Sequence, residues 1–224
     1  PGKVGAAPIQ NIGAYGVELK DVFDSCEAIE IETGNIKTFS KSECNFGYRE
    51  SIFKNKLKNK YIVFTVNLRL SIASHSIKTK YGTIVNELHK KNITNPTIQD
   101  VSKAIINIRT SKLPDPKLIG NSGSFFKNPV VSKEALKVLK LNFSDIPSFE
   151  VSDKLVKIPA GWLIEKAGLK GKRFGSYGVH KNQALVLVNY GGAKGNDIKN
   201  LAYLIQETIL KIFKISLELE VNII

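Results

Sequence analysis

Residues 120–129 read GNSGSFFKNP, a segment that joins a glycine-rich half to a half with two aromatic rings. Its small hydroxyl side chain, Ser124, stands between the glycines and the phenylalanines, and Lys127, Asn128 and Pro129 follow. Glycine lets backbone and ligand approach closely, the rings can anchor the loop in a core, and proline ends any regular element. The segment can therefore present one hydroxyl to a polar ligand. Taken alone, it fits a surface turn better, because Gly- and Ser-rich turns are common.

Composition indicates an ordinary globular chain with a strongly basic charge. The 224 residues are 42% hydrophobic and 24% charged, and the net charge is +13. The lysines are scattered except in a cluster at residues 54–60, which we interpret as a solvated loop. Neither zinc-finger spacing nor an aromatic RNA-binding motif accompanies the charge, although nucleic-acid binding stays open as an alternative. A basic surface also suits phosphate-bearing small ligands, which it attracts over long range.

The apolar runs and the cysteines indicate the cellular compartment of the protein. No apolar run approaches the length of a membrane span, and the first residues lack a secretory signal pattern. The two cysteines, Cys26 and Cys44, cannot form a disulfide framework and are typical of small, partly buried side chains in a reducing compartment. We expect a cytoplasmic protein with no membrane contact. We expect no metal site, because the three histidines and two cysteines lack ligand spacing.

The first part of the chain is rich in strand signals. Alternating residues 28–33 and 36–39 flank Gly34-Asn35, which predicts a hairpin. Residues 61–70 predict a strand whose even positions, all apolar from Ile62 onward, form a buried face. A polar link follows at 71–79. We therefore predict domains at 1–72 and 73–224.

Helical signals dominate the second part. They predict helices from Asn95-Pro96-Thr97 to about Arg109, from Ser132 through Leu139, and after Pro159 with Gly168 just past the end. A further helix begins at Asn196-Asp197 and carries an apolar stripe from Ile198 to Ile212, and residues 215–223 then alternate as a strand. The fold class is α+β, with an open sheet and helices packed on one face.

Three other segments join the central one in a recognisable order. They are PIQNIGAYG at 8–16, FGYRESIF at 46–53 and PAGWLIE at 159–165. Together the four resemble the signature of the UDP-N-acetylenolpyruvoylglucosamine reductases, the MurB family of flavoenzymes in peptidoglycan synthesis. The resemblance implies the C-terminal part of a PCMH-type FAD-binding domain, followed by a mixed α+β substrate domain.

The resemblance implies an oxidoreductase. NADPH would reduce FAD, and the flavin would pass hydride to UDP-N-acetylglucosamine enolpyruvate, giving UDP-N-acetylmuramate. We expect a monomer that binds no nucleic acid. The chain has no Met and opens within a motif, so we interpret it as the C-terminal portion of a longer protein. The alternative function is a non-catalytic fragment that binds UDP-sugar only.

Site residues follow from the same resemblance. The catalytic positions of the family map onto Arg49, Ser124 and Glu220, the last being the second acid of a Leu-Glu-x-Glu-Val motif in which Leu219 replaces a common proline. Expected substrate contacts are Tyr48, Tyr81, Lys112, Asn128 and Gln183. Expected cofactor contacts are Gly5, Ala7, Gln10, Asn11, Ile12, Gly13 and Tyr15.

Several of these residues also have an ordinary structural interpretation. Arg49 could be a structural cation paired with Glu50, and Lys112 could be a solvated lysine at a helix C-terminus. Glu218, the neighbouring acid, is interpreted as solvent-exposed. Trp162 is interpreted as core and His180 as structural.

Overall fold

A computed structural model describes residues 2–79 and 81–223 of the chain. The chain forms two compact units, Pro1–Ile105 and Ile106–Ile224. The division falls inside helix α2, Ile98–Lys112. The predicted domain boundary between residues 72 and 73 stays a prediction.

Short strands and 3-10 turns make up most of the first unit. The strands are β1 (Gly13–Ala14), β2 (Val17–Glu18), β3 (Phe23–Glu30), β4 (Ile36–Ser40) and β5 (Tyr61–Leu68). The 3-10 helices are Val4–Gln10, Leu19–Asp21 and Ile52–Lys54, and helix α1 spans Gly82–His89. Strands β4, β3 and β5 form an antiparallel sheet in that order. Its core contains Phe23, Cys26, Ala28, Phe39, Cys44 and Phe53.

The predicted hairpin is confirmed. Strands β3 and β4 pair antiparallel, with Ile29 opposite Ile36, and Gly34 adopts a positive φ of 72° in the connecting turn. Glycine reaches this conformation without the steric cost that a side chain would add.

The predicted buried face of β5 is wrong except at Val66, which packs against the core. Ile62 and Phe64 expose 59% and 45% of their surface, whereas Tyr61 and Val63 pack against the core. Strand registers explain the difference, because Val63 lies opposite the buried Ala28 while Ile62 lies opposite Ile29 on the other face. Alternation alone could not identify the core face, since both faces of this strand carry apolar residues.

Two small antiparallel sheets and three helices follow α2 in the described residues of the second unit. The strands are β6 (Gly120–Ser124), β7 (Val130–Ser132), β8 (Phe149–Glu150), β9 (Leu155–Lys157), β10 (Arg173–Phe174), β11 (Tyr177–Val179) and β12 (Val186–Asn189). The helices are α3 (Lys133–Asn142), α4 (Ala160–Lys166) and α5 (Gly195–Phe213). Sheet orders are β10-β11-β12-β6 and β7-β9-β8, so the prediction of one open sheet is wrong. The segment between β6 and β7 leaves the first sheet and starts the second.

The helices begin closer to their predicted first residues than they end to their predicted last residues. The Ser132 hydroxyl accepts the Ala135 N–H at 3.1 Å, as an N-cap does, and the Asp197 carboxylate accepts the Lys194 N–H at 2.7 Å. Helices α2 and α3 each run three residues past their predicted ends, to Lys112 and Asn142. Capping side chains define a start, whereas neither of these ends has a glycine to stop the helix.

Helix α5 supplies much of the core of the second unit. Leu201, Ala202, Ile205 and Ile209 are buried as the predicted stripe requires. Phe213, rather than Ile212, completes the stripe, and it packs near Phe143 and Trp162. Burial of each large apolar side chain stabilises the fold by about 1.5–3 kcal/mol.

The predicted C-terminal strand is corrected to an extended segment. Among the described residues, its strand pairing is an isolated antiparallel bridge between Phe126 and Leu219. The predicted alternation is confirmed for residues 215–218, since Ile215 and Leu217 are buried while Ser216 and Glu218 are exposed. It is wrong at Ile223, which exposes 42% of its surface. The Gln206 side chain on α5 also donates to the Leu217 carbonyl at 2.6 Å.

Candidate functional site

Ser124 lies at the end of an edge strand. It pairs with Val186 of β12, and both Ser122 and Ser124 are exposed. The Asn121 side chain holds the strand locally, because its Nδ2 donates to the Ile119 carbonyl and its Oδ1 accepts the Gly123 N–H. The Ser124 hydroxyl is therefore presented on a hydrogen-bonded strand rather than on a loose turn.

The two phenylalanines anchor this strand in the core, as predicted. Phe125 and Phe126 are both buried, with ring centroids 5.6 Å apart. The Phe125 N–H donates to the Leu185 carbonyl at 2.8 Å. Burial of adjacent aromatic side chains fixes where the backbone on either side of them can lie.

The C-terminal extended segment runs beside the same residues. The Glu220 N–H donates to the Phe125 carbonyl at 2.9 Å, and the Lys127 N–H donates to the Glu218 carbonyl at 2.9 Å. Two of the predicted catalytic residues of the second unit, Ser124 and Glu220, therefore belong to directly bonded segments.

Asn128, predicted to contact the substrate, also has a structural role. Its Oδ1 accepts the Ala160 N–H at 2.9 Å and so caps the first turn of α4, where Pro159 precedes the helix. This bond links the GNSGSFFKNP segment to the PAGWLIE segment. Its role as a substrate contact stays a prediction.

Lys112 and Gln183 lie in neighbouring segments. Lys112 is the last residue of α2 and is exposed, while the Asn182 Nδ2 donates to the carbonyl of the adjacent Ser111 at 3.4 Å. Gln183 Oε1 accepts the Leu185 N–H at 3.4 Å. The bond between Asn182 and Ser111 therefore links the segments that contain Gln183 and Lys112. The roles of both residues as substrate contacts stay predictions.

Arg49 is held in a tight turn of the first unit. Gly47 and Glu50 exchange main-chain hydrogen bonds across the turn, and Arg49 has a positive φ of 53°. Its guanidinium donates to the Gly13 carbonyl at 2.5 Å and lies 5.4 Å from the centre of the Tyr48 ring. A left-handed conformation at a residue other than glycine or asparagine is uncommon and is often found at functional sites.

Asn11 joins the predicted cofactor loop to the arginine turn. It is fully buried and its Nδ2 donates to Glu18 and to the Gly47 carbonyl, both at 2.9 Å. Its Oδ1 accepts the Lys20 N–H. The amide therefore supports the loop, and its predicted contact with a cofactor stays a prediction.

Backbone geometry constrains several other residues of the predicted cofactor loop. A Cβ on Gly13 would lie 2.5 Å from the Val17 carbonyl oxygen, so only glycine fits there. Tyr15 has a positive φ of 55°, and its ring meets the Tyr81 ring edge-on at 5.5 Å. Gly5, Ala7 and Gln10 fall in or at the end of the first 3-10 helix, and Ile12 is exposed.

Sequence reasoning missed two features of these sites. The first is the ion pair between Lys127 and Glu218, although Glu218 is exposed as predicted. The second is the buried Ser51 hydroxyl, which donates to the Ile9 carbonyl at 2.6 Å. The pattern FFK opposite LELE carried a signal for the first, because antiparallel pairing can place a lysine opposite a glutamate. Nothing in the sequence pairs Ser51 with Ile9.

His180 is buried, and its Nδ1 has no hydrogen-bond partner among residues 2–79 and 81–223. Burial, with the nearby charge of Lys181, lowers the pKa of His180 below its usual value of 6.5. A base with a lowered pKa in the fold stabilises the protein above the unfolded pKa, and this stability is lost as the pH falls through the folded pKa. The side chain is therefore neutral at neutral pH.

A pH titration of stability tests this placement. We expect the free energy of unfolding to fall from about pH 7 to about pH 5, with a smaller fall in His180→Gln, which cannot take up that proton. Equal slopes for wild type and His180→Gln would contradict the prediction.

The described part of the chain has neither a helix that could span a membrane nor a cluster of metal-binding side chains. None of its helices is long and apolar enough to cross a bilayer. None of its groups of His, Cys, Asp or Glu could hold a metal ion.

The fold defines an α+β protein of two compact units, the second of which matches a known domain. That domain is the C-terminal domain of UDP-N-acetylenolpyruvoylglucosamine reductase, and the match covers residues 115–224. The chain belongs to the UDP-N-acetylenolpyruvoylglucosamine reductase family.

Relatives and a solved structure agree with this assignment. UDP-N-acetylenolpyruvoylglucosamine reductase of Flavobacterium johnsoniae is 58% identical over all of this chain, which covers 66% of that relative. The protein of the same name from Pseudomonas aeruginosa is 47% identical over all of this chain, which covers 65% of it. The chain thus spans about two thirds of the length of these curated relatives. The crystal structure of the reductase (MurB) from Thermus caldophilus, 24% identical, has the same fold with a TM-score of 0.61 over 98% of this chain and 59% of that chain.

Proposed function

We propose that this chain carries the reductase activity after which its relatives are named, within peptidoglycan synthesis. The reaction is the NADPH-driven, FAD-dependent reduction of UDP-N-acetylglucosamine enolpyruvate to UDP-N-acetylmuramate. The observation that carries the proposal is the hydrogen bond from the Glu220 N–H to the Phe125 carbonyl. It joins the segment of the proposed proton donor to the segment of the proposed catalytic acid.

Exposed apolar side chains in the first unit suit a flat, largely apolar ring such as that of a flavin. Val4 and Ile12 expose 60% and 47% of their surface, and the small residues Gly5 and Ala7 lie between them along the chain. Together with Gln10, Gly13 and Tyr15, these residues would hold FAD. When bound, FAD supplies the hydride, with NADPH as the reductant.

The chain's own residues supply charge stabilisation and a proton. Hydride arriving at one carbon of the enolpyruvyl group pushes electrons toward its carboxylate. Arg49, a cation already fixed by the Gly13 carbonyl, stabilises that developing charge. Glu220 would help as the protonated acid, because its carboxylate would repel the developing negative charge. Ser124 donates a proton from its Oγ to the adjacent carbon. A serine hydroxyl is a weak acid, so a nearby cation or a chain of water molecules must assist this transfer.

Five further side chains would recognise the substrate. Lys112 offers an exposed cation for phosphate, Asn128 and Gln183 offer amides, and Tyr48 and Tyr81 offer aromatic rings. The net charge of +13 would attract an anionic UDP-sugar over long range. We propose a cytoplasmic monomer in which residues 1–72 serve the cofactor and residues 73–224 serve the substrate.

Two other functions would explain part of the same features. A chain that binds UDP-sugar without flavin would be a non-catalytic binding domain. Nucleic-acid binding through the basic surface would give affinity that falls steeply with salt. Neither alternative uses the bonded pairing of the segments that contain Ser124 and Glu220.

The visible absorption spectrum of the purified chain separates these possibilities. We expect flavin bands after FAD is mixed with the chain, and a shift of those bands when UDP-N-acetylglucosamine enolpyruvate is added. N-acetylglucosamine, which lacks both the UDP and the enolpyruvyl groups, should cause no shift. Flavin bands that do not respond to the UDP-sugar would contradict the proposed function. UDP-sugar binding without flavin would favour the binding domain.

A further inference from the structure

Lys127 is the most enclosed cation in the described chain. Among the Lys and Arg residues of 2–79 and 81–223, only Lys127 is buried, and 8% of its side chain is exposed. Its Nζ lies 2.5 Å from Oε1 of Glu218, whose side chain is 70% exposed. An enclosed ammonium group needs a nearby opposite charge, because burial removes its hydration. The exposed acid supplies that charge from the surface.

This ion pair sits within a short antiparallel ladder. Phe126 and Leu219 form the central bridge, and the Lys127 N–H donates to the Glu218 carbonyl. On the other side of the bridge, the Glu220 N–H donates to the Phe125 carbonyl. Lys127 and Glu218 are thus directly opposite each other, and so are Phe125 and Glu220.

The ladder is too short to fix its register through main-chain bonds alone. If the C-terminal segment slipped by one residue, main-chain hydrogen bonds could form again, but Leu219 would lie opposite Lys127. The buried ammonium group would then lose the carboxylate directly across from it. The same slip would move Glu220 away from Phe125 and turn its side chain to the other face.

We propose that Lys127, acting through Glu218, is a positioning residue that fixes the register of residues 218–220 and so places Glu220 beside the segment of Ser124. This role rests on the proposed function, because it matters to catalysis only if Glu220 takes part in the reduction. Lys127 itself touches no reacting atom in this role. Its contribution is to exclude the slipped registers.

Hydrogen exchange of individual amides tests the register without any cofactor or substrate. The Glu220 amide is the probe, because its N–H is bonded across the ladder, and the Val179 amide in the neighbouring sheet is the internal reference. We expect Glu218→Gln and Lys127→Met each to raise exchange at Glu220 by about tenfold while Val179 stays unchanged. Lys127→Arg keeps the positive charge and should exchange as slowly as the wild type. The double variant Lys127→Met/Glu218→Gln should exchange no faster than the faster of the two single variants.

A second ion pair of the same unit is the matched control. Lys133 and Glu150 are also 2.5 Å apart, and the Glu150 side chain is as exposed as that of Glu218. Glu150→Gln should therefore leave exchange at Glu220 unchanged. Since Glu218 is on the surface, its substitution tests the proposal even if Lys127→Met fails to fold.

Steady-state kinetics of the FAD-loaded chain complete the test. Loss of register should lower kcat for UDP-sugar reduction by about tenfold in Glu218→Gln with little change in KM, because Glu220 and not the binding contacts is displaced. Unchanged exchange at Glu220 in both single variants would overturn the proposal. If KM rises in these variants while exchange at Glu220 stays unchanged, Lys127 contacts the substrate directly instead of fixing the register. A wild-type chain that reduces no UDP-sugar would instead count against the proposed function, and exchange at Glu220 would still decide the register.

Discussion

Replacement of Ser124 by alanine is expected to slow reduction of the UDP-sugar by about 10²–10⁴-fold, the usual contribution of a positioned proton donor. The substitution removes one oxygen from an exposed position of β6, so the hydrogen bonds that hold the strand stay in place. Reduction of FAD by NADPH should proceed at the wild-type rate, because that step needs no proton from Ser124. Stopped-flow absorbance measures the two half-reactions separately.

Ser122 provides the control for this experiment. It is exposed on the same strand, two residues away, and is a serine as well. Ser122→Ala should keep both half-reactions within about twofold of the wild-type rates, as expected for a surface substitution away from the chemistry. Equal loss of both half-reactions in Ser124→Ala would show that the hydroxyl is not the proton donor.

Replacement of Glu220 by glutamine is expected to lower the rate of UDP-sugar reduction by about 10²–10³-fold, the range for loss of one group that stabilises a developing charge. Glutamine keeps the shape and the main-chain bond to Phe125 while removing the ionisable acid. FAD reduction by NADPH should again be unaffected. The measurement is single-turnover oxidation of the reduced flavin by UDP-N-acetylglucosamine enolpyruvate.

Two other glutamates make this result specific. Glu207→Gln, on the exposed side of α5, should match the wild type. Glu218→Gln should fall between the two, because it releases Lys127 without removing the proposed catalytic acid. A larger loss in Glu218→Gln than in Glu220→Gln would mean that the catalytic role belongs to Glu218.

Local signals in the sequence predicted local structure well. Gly34 in a turn between alternating residues was sufficient for the β3–β4 hairpin, and Ser132 was sufficient for the start of α3. The α+β class and the family are likewise confirmed. These features depend on neighbouring residues or on motif order, both of which can be read along the chain.

Features that depend on distant partners could not be predicted in the same way. Ile62 and Phe64 looked like core residues until the pairing of β5 with β3 set the orientation of the strand. The Arg49 guanidinium meets the Gly13 carbonyl, and Lys127 meets Glu218, through folding of separate segments. The alternating pattern made a lysine–glutamate pair possible, but spacing along the sequence does not say which of several acids or carbonyls a cation will reach.

The ladder between residues 125–127 and 218–220 also has a consequence for synthesis. Lys127 and Glu218 are separated by 91 positions, and ribosomes add roughly 5–20 residues per second. A nascent chain therefore waits roughly 5–18 s after Lys127 is made before Glu218 exists to neutralise it. During that interval the rings of Phe125 and Phe126 also lack α5, whose side chains belong to the same core, so a chaperone that binds exposed apolar segments would find a target here. A stalled ribosome would leave β6, which contains Ser124, without the extended segment that bonds beside it.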